Sequence, residues 1–322
     1  MPDDDPPMAS RMPHTSNIQP TPPQRPQPLL RETLAYLNWL FNPFKRIEVS
    51  AIYDLLSTRA ATEHALYLNL GYWKQAQDLD AASDALADLL ADAVRLGPGD
   101  TLLDVGFGFA DQDMRWAQRH HPARIIGLNL TASQVAVARA RVCERGLDAQ
   151  IDLREGSATA IDLPDESVDK VVALECAFHF RTREQFFREA HRVLRPGGRI
   201  AMADIIPRAA SGGRLHRLKQ RASWALVASR FSIPPENAYS IPTYHAELKL
   251  RGFTQTAIES IRDDVYAPLH DWLRDHHSAL QRLHPAARLA ARLALSRDAD
   301  SVYAGLDYVL ATAVKPPRAI GR

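Results

Sequence analysis

The chain has 322 residues, of which 46% are hydrophobic and 24% are charged, and its formal net charge is +1. This composition suits one large folded core, and the balance of charge excludes bulk electrostatic attraction to nucleic acid. No apolar run approaches the ~20 residues that span a bilayer, so we expect no membrane-spanning helix. Cys143 and Cys176 are expected to be free thiols, which predicts a reducing, cytoplasmic location.

The first 95 residues divide into two predicted parts. Residues 1–28 contain nine prolines and almost no large apolar side chain. They cannot offset the entropy lost on ordering, so we predict a disordered tail. Residues 29–95 are predicted to form a helical lid or cap. Within them, the aromatic stretch 29–44 either packs on the domain or touches a lipid surface, and we favour packing because it lacks a basic face.

A tight glycine turn follows an apolar strand at residues 102–110. Gly106 and Gly108 let the backbone approach a ligand closely and adopt positive φ. The helix that follows offers free N–H groups to the same ligand. Asp104 adds a carboxylate at the end of the strand. This pattern predicts a nucleotide-cofactor site.

A dinucleotide-binding turn is the alternative interpretation of the same residues. Its Gly-x-Gly-x-x-Gly pattern needs glycine or alanine at position 111, where this chain has Asp111. A carboxylate beside a pyrophosphate is poorly placed. A nicotinamide-dependent oxidoreductase therefore stays the alternative function.

Strands and helices continue to alternate after this turn. Residues 124–130 are predicted as the second strand, followed by a capping box in which Gln134 reaches back to the amide of Thr131. The helix that begins there is expected to end near Arg145. The third predicted strand, 149–154, leads into Gly156, Ser157 and Ala158.

The fourth predicted strand, 169–176, is followed by a helix over 182–194 and a fifth strand over 200–205. Between the last two stands Arg-Pro-Gly-Gly-Arg at 195–199, where glycine is expected to cap the helix and proline to stop it. Two further strands are predicted at 253–261 and within 305–314.

Together these motifs resemble class I S-adenosylmethionine-dependent methyltransferases of the small-molecule branch. Sterol, tocopherol, sarcosine-type and natural-product-tailoring members show similar spacing, and the resemblance covers roughly residues 50–315. It implies an α/β, Rossmann-like fold with a seven-stranded, mostly parallel sheet whose last strand is antiparallel. The methyltransferase domain is expected over 96–315, with helical insertions at 213–231 and 265–297.

The resemblance implies S-adenosyl-L-methionine as the cofactor. Asn129 stands where most members have an acid that holds the ribose, and Ser157 replaces the usual aspartate near adenine. Tyr72 and Trp73 match a lid over the methionine end, where aromatic faces suit a sulfonium cation, although core filling is the alternative. The residues assigned to the cofactor are Tyr72, Asp104, Gly106, Gly108, Asn129, Leu130, Gln134, Ser157 and Ala158.

Two residues after the fourth strand are the predicted catalytic groups. His179 is the candidate general base, because an ordinary histidine pKa near 6.5 suits proton transfer around neutrality. Glu175 is expected nearer the cofactor, where it orients a ligand or takes the proton instead. The alternative for His179 is a purely structural hydrogen bond to the backbone. No histidine spacing indicates a metal site.

The predicted function is methyl transfer to a small, apolar metabolite, with carbon, nitrogen and oxygen acceptors left open. The two insertions, rich in leucine and arginine, are expected to choose that acceptor. A catalytically silent methyltransferase-like binding module is the rival from another class. The sequence leaves the oligomeric state open.

Overall fold

The computed structural model describes residues 62–281 and 285–318. The predicted tail, residues 1–28, and the aromatic stretch 29–44 lie outside these ranges. Within the described part, no helix is both long and apolar enough to cross a membrane.

Seven strands form one sheet in the order β3-β2-β1-β4-β5-β7-β6. Neighbouring strands among β1 to β5 pair in parallel, and β7 lies antiparallel between β5 and β6. The predicted fold class is therefore confirmed. The strands are β1 (Thr101–Val105), β2 (Arg124–Asn129), β3 (Ile151–Glu155), β4 (Val168–Leu174), β5 (Leu194–Pro207), β6 (Thr254–Ser260) and β7 (Leu306–Val314).

Helices cover both faces of the sheet, because its central strands are apolar on both sides. All of Leu102, Leu103 and Val105 in β1 are fully buried, and they belong to two different core clusters on opposite faces. The described α-helices are α1 (Leu79–Val94), α2 (Asp111–His120), α3 (Ala132–Glu144), α4 (Arg183–Val193), α5 (Arg214–Arg230), α6 (Ile241–Leu250), α7 (Tyr266–Asp275), α8 (His277–Gln281), α9 (Pro285–Leu295) and α10 (Ala299–Val302).

The described part of the predicted helical lid contains one helix, and that helix belongs to the core. Asp78 caps α1 by accepting a hydrogen bond from the amide of Ala81 at 2.8 Å, and Leu86 and Leu90 on its inner face are fully buried. Residues 62–78 before it are irregular. The amides of residues 63 to 65 donate to the carboxylate of Asp80 instead of to helical carbonyls.

Both predicted insertions contain helices. The segment 213–231 contains α5, in which Gln220 is buried while Leu215 and Leu218 are exposed. The segment 265–297 contains α7, α8 and α9, apart from residues 282–284, which lie outside the described ranges.

Two local predictions were wrong. Thr131 is the N-cap residue of α3, but the capping box does not form: the Thr131 side chain makes no capping hydrogen bond, and the Thr131 amide donates to Asn129 instead of to Gln134. Gly197 has a φ of 83° but does not cap α4, which ends at Val193. The chain enters β5 directly at residue 194, and the amide of Gly197 donates to the carbonyl of Lys315.

Candidate functional site

A cavity of about 590 Å³ lies at the carboxyl ends of the parallel strands, a size typical of small-molecule sites. Its wall combines the ends of β1, β2, β3 and β4 with the irregular segment before α1. The lining residues are Leu66, Tyr67, Leu68, Asn69, Gly106, Phe107, Gly108, Phe109, Gln112, Leu128, Asn129, Leu130, Thr131, Gln134, Gly156, Ser157, Ala158, Thr159, Leu174, Glu175, Cys176, His179, Phe180, Arg181 and Ser232.

The glycine turn forms one wall with its backbone. Gly106 and Gly108 have φ values of 80° and 57°, and Ala110, where the family usually has a third glycine, also adopts a left-handed φ of 64°. A Cβ atom on Gly106 would lie 2.7 Å from both Cβ and Sγ of Cys176. Position 106 therefore requires glycine for conformation and for space.

Asp104 lies one layer beneath this turn and does not line the cavity. It is fully buried, and its carboxylate accepts a hydrogen bond from Nε2 of Gln112 at 3.0 Å. Gln112 also donates to the carbonyl of Phe107 within the turn. Asp104 therefore supports the turn through Gln112 and is not positioned to contact a ligand in the cavity.

A second fully buried carboxyl, Asp113, lies close enough to Asp104 for the two groups to interact electrostatically. Burial raises the pKa of Asp104 to about 7, and burial together with the charge of Asp104 raises the pKa of Asp113 well above its usual range. Two interacting carboxyls cannot both ionise cheaply in a dry interior, so at neutral pH the pair retains at least one proton.

Asn129 and Gln134 form the wall at the end of β2. Nδ2 of Asn129 donates to Oε1 of Gln134 at 2.8 Å, and Oδ1 of Asn129 accepts from the amide of Thr131 at 3.1 Å. Nε2 of Gln134 is buried and has no hydrogen-bond partner among the described residues. A buried amide donor on a cavity wall fits a ligand with oxygen or nitrogen acceptors.

The loop after β3 forms the far end of the cavity. Gly156, Ser157 and Ala158 line it, and the Ser157 hydroxyl lies 3.0 Å from the Thr159 hydroxyl. Leu130 also lines the cavity and is 58% exposed, so an apolar side chain stands at the mouth beside these small residues. Small side chains and one exposed leucine suit a flat ring system.

Residues 62–73, which we call the lid segment, cross the cavity opening without regular structure. Side-chain carboxylates on three elements accept hydrogen bonds from its amides. Beyond Asp80, Oδ2 of Asp111 accepts from Leu66 at 3.3 Å and Oε1 of Glu175 accepts from Leu70 at 2.7 Å. Asp111 is paired with Arg141 at 2.6 Å, so its charge is compensated within the protein.

Tyr72 does not line the cavity, in contrast to its assignment as a cofactor residue. Its amide donates to the carbonyl of Ala82, and its hydroxyl interacts with Asp264 and Lys74. The adjacent Trp73 is buried against α1, and its ring lies 5.6 Å from the Trp272 ring at an interplanar angle of 44°. Both rings therefore pack against the protein core and lie away from the cavity lining.

Tyr67 and Asn69 of the same lid segment line the cavity instead. The Tyr67 hydroxyl donates to Asp84 at 2.8 Å, and Oδ1 of Asn69 accepts from the amide of Gly71 at 3.0 Å. Nδ2 of Asn69 is buried without a hydrogen-bond partner in the described part of the chain. The lid motif was the sequence signal for this segment, but the residues of it that line the cavity are Tyr67 and Asn69, which precede the aromatic pair.

Glu175 lines the cavity immediately after β4, with a left-handed φ of 50°. Its Oε1 accepts hydrogen bonds from the Leu70 amide at 2.7 Å and the Tyr308 hydroxyl at 2.6 Å. Burial raises the pKa of Glu175 to about 7, although both of these hydrogen bonds oppose the shift. Its carboxyl is therefore poised to exchange a proton near neutrality.

His179 also lines the cavity, but in an apolar setting. Its ring lies 4.1 Å from the Phe178 ring and 6.2 Å from the Phe231 ring, and it is hydrogen-bonded to the backbone of Phe231. Burial lowers the pKa of His179 to about 3, and the nearby Arg183 charge adds to that effect. The expectation of an ordinary pKa near 6.5 was wrong, because the imidazole is 6% exposed.

Seven of the nine predicted cofactor residues and both predicted catalytic residues thus line one cavity, whereas Asp104 and Tyr72 do not. Within residues 62–281 and 285–318, no group of three or more His, Cys, Asp or Glu residues is arranged to hold a metal ion.

Comparisons with known proteins identify the family to which this site belongs. Residues 103–202 match the family model described as a methyltransferase domain. The chain is 37% identical over 265 residues to erythromycin 3''-O-methyltransferase of Saccharopolyspora erythraea, covering 80% of this chain and 86% of that protein. It is 31% identical over 258 residues to 27-O-demethylrifamycin SV methyltransferase of Amycolatopsis mediterranei, covering 77% and 90%.

The crystal structure of the [4+2]-cyclase SpnF shares the fold, with a TM-score of 0.60 at 22% identity over 89% of this chain and 96% of that one. Likeness at this identity concerns architecture alone. The methyltransferase activity is shown by the family model and by the relatives in sequence, and S-adenosylmethionine is the cofactor of this activity. The chain therefore belongs to the class I S-adenosylmethionine-dependent methyltransferases, as an enzyme of small-molecule metabolism.

Proposed function

We propose that this enzyme methylates a hydroxyl oxygen on a small, largely apolar metabolite of the polyketide-glycoside type. The observation that carries the proposal is a buried carboxyl, Glu175, on the wall of a cavity otherwise lined by apolar and small polar residues. Two relatives above 30% identity carry an O-methyl position in their names, erythromycin 3''-O-methyltransferase and 27-O-demethylrifamycin SV methyltransferase. These names support an oxygen acceptor.

The residues present fit S-adenosylmethionine. The backbone of Gly106 and Gly108 gives a close approach for its amino-acid end, and the unpartnered buried donors of Asn69 and Gln134 suit its carboxylate, hydroxyl and ring-nitrogen acceptors. Ser157 lies at the opposite end of the same cavity. These residues, together with Asn129, Leu130 and Ala158, are our proposed cofactor contacts.

When bound, the cofactor supplies an electrophilic methyl group on a sulfonium. A hydroxyl acceptor would form the new C–O bond as the S–C bond breaks, with S-adenosylhomocysteine as the leaving group, and its proton would pass to the protein or to water. Glu175 is the proposed proton acceptor because its pKa of about 7 matches working pH.

His179 is proposed to align the acceptor. A pKa of about 3 makes it neutral across the physiological range, and this low proton affinity makes it a weaker base than Glu175. A neutral imidazole on an apolar wall still offers a hydrogen bond that orients a hydroxyl at near-attack distance. The structural hydrogen bond to the Phe231 backbone is compatible with that role.

The proposed acceptor region is the part of the cavity lined by His179, Phe180, Arg181 and Ser232. Ser232 lies two residues after the end of α5 and just beyond the predicted insertion 213–231, so the insertion leads into the wall where acceptor choice is expected. A cytoplasmic location and the absence of nucleic-acid partners stay predictions from composition.

Mass spectrometry of a defined reaction tests this proposal. The full-length protein is incubated with S-adenosylmethionine and a panel of hydroxylated macrolides, ansamycins and their aglycones, with matched amine and thiol compounds as controls. We expect a gain of one methylene unit, and NMR of the product should show an O-methyl group. Methylation confined to nitrogen would overturn the oxygen assignment, and an isomerised product of unchanged mass would indicate cyclisation instead.

A further inference from the structure

The turn that carries His179 is held by one buried asparagine on a different segment of the chain. Asn237 is fully buried in the short 3-10 turn Pro235–Asn237, which follows the α5 insertion. Its Nδ2 donates to the carbonyl of Phe178 at 3.0 Å and to the carbonyl of Phe180 at 2.8 Å. The two accepting residues flank His179 on both sides.

The asparagine is itself fixed by a buried ion pair. The side-chain Oδ1 of Asn237 accepts a hydrogen bond from the backbone amide of Arg183 at 2.9 Å, and the backbone carbonyl of Asn237 accepts one from the Arg183 guanidinium. That guanidinium forms two hydrogen bonds with Asp204 of β5, at 2.7 and 3.0 Å, and both side chains are fully buried. Tyr244 donates to the same carboxylate at 2.8 Å.

Every polar atom of the Asn237 side chain is therefore committed to holding backbone. The α5 end reaches His179 independently, through the hydrogen bond to the Phe231 backbone. Satisfied buried networks are rigid, since each broken hydrogen bond leaves an unpaired group in a dry interior.

We infer that Asn237 is a positioning residue that fixes the His179 turn against the end of the α5 insertion, so that the acceptor-facing imidazole and the insertion move as one unit. Asn237 lies outside the cavity lining and contacts no substrate. This inference rests on the proposed role of His179 in aligning the acceptor.

The test uses Asn237→Ser, whose short hydroxyl cannot bridge two carbonyls, and Asn237→Ala as a second variant. Leu248→Ala is the control, because it removes a fully buried core side chain in α6 away from the cavity lining and lowers stability without touching the turn. Affinity for S-adenosylmethionine, kcat and KM for the acceptor and the ring NMR signal of His179 are measured on each. His179→Ala identifies that signal.

We expect Asn237→Ser to lower kcat about tenfold, to leave cofactor affinity within about twofold and to shift and broaden the His179 signal. The Leu248→Ala signal should stay in place. In the double variant with His179→Ala, the loss in kcat should match that of His179→Ala alone, because residues acting through one group are not additive.

Multiplied losses in the double variant, or an unmoved His179 signal in Asn237→Ser, would overturn the inference. The NMR signal needs no turnover, so it separates this inference from the proposed function. If His179→Ala keeps the wild-type kcat while Asn237→Ser moves the signal, then the aligning role of His179 fails and the holding role of Asn237 stands.

Discussion

The two ends of the cavity are built in different ways. The end proposed for the cofactor is lined, apart from the lid segment, by residues that follow β1, β2 and β3 within a few positions, so each of these walls comes from one short stretch of sequence. The acceptor end joins residues from the β4 end with Ser232, and it is held by Arg183, Asp204 and Asn237 from three separate segments. Binding a shared cofactor needs local motifs, whereas the acceptor wall depends on long-range packing.

The largest expected effect lies at the junction of the two ends. Glu175→Gln keeps an oxygen for the Leu70 amide but cannot take a proton, so kcat should fall roughly 10²–10⁴-fold. In the wild type, log(kcat/KM) should rise with pH up to an inflection near 7, as the carboxylate forms, and this inflection should vanish in the variant.

Tyr308→Phe is the matched control for Glu175. It removes one hydrogen bond to the charged carboxylate, so the inflection should move above 7 while most of the rate is retained. A Glu175→Gln enzyme with wild-type kcat and the same inflection would exclude this carboxyl as the proton acceptor.

At the cofactor end, Gly106→Ala should weaken S-adenosylmethionine binding at least about tenfold. A left-handed non-glycine residue costs about 1–3 kcal/mol, and the added Cβ overlaps Cys176 at 2.7 Å. Calorimetry measures affinity, and thermal unfolding should show a lower Tm as well. Gly97→Ala is the control, since a Cβ there meets nothing within 4 Å. Equal affinities in the two variants would contradict a glycine-specific cradle.

The buried acid pair beneath the cofactor end predicts a pH-dependent stability. Because the pKa of Asp104 is raised to about 7, the folded state holds a proton between about pH 4 and 7 that the unfolded state has lost. The free energy of unfolding should therefore decrease as pH rises through this window, by at most about 1.4 kcal/mol per pH unit for one proton.

Asp113→Asn should flatten this dependence, because burial also raises the pKa of Asp113 and the variant removes this second titrating carboxyl. Urea titrations at pH 5 and pH 8 measure the effect, and the variant should gain stability relative to wild type mainly at pH 8. Asp92→Asn, on the exposed side of α1, carries the same charge change and should leave the slope unaltered. If the free energy of unfolding of Asp113→Asn depended on pH as steeply as that of the wild type, Asp113 would be excluded as one of the buried protonated carboxyls.

The smallest expected effect concerns the lid segment. Tyr72→Phe should leave cofactor affinity within about twofold, because Tyr72 lies outside the cavity lining. Asn69→Ala removes a buried donor from the wall and should weaken binding about tenfold. Weaker cofactor binding in Tyr72→Phe than in Asn69→Ala would support the predicted aromatic lid. It would also indicate that the lid segment rearranges when the cofactor binds.

The sequence by itself determined the fold class and most of the lining at the proposed cofactor end of the cavity. Apolar strands alternating with helices specify a parallel sheet covered on both faces, and Gly106 with Gly108 marks a left-handed turn that few other residues tolerate. These signals are local, since each depends on residues within one strand, turn and helix. They predict that Asn129, Gln134, Ser157 and Ala158 meet at one site, and all four line the same cavity.

Only the tertiary structure decided the rest. The direction of the Asp104 side chain, the inward packing of Trp73 that removes Tyr72 from the cavity, and the proton affinities of Glu175 and His179 follow from burial among residues distant in sequence. Asn237 gives no sequence signal at all, because its role exists only where the end of α5 meets the turn after β4. Desolvation and hydrogen bonding across the fold set these properties, and neither is encoded in a short motif.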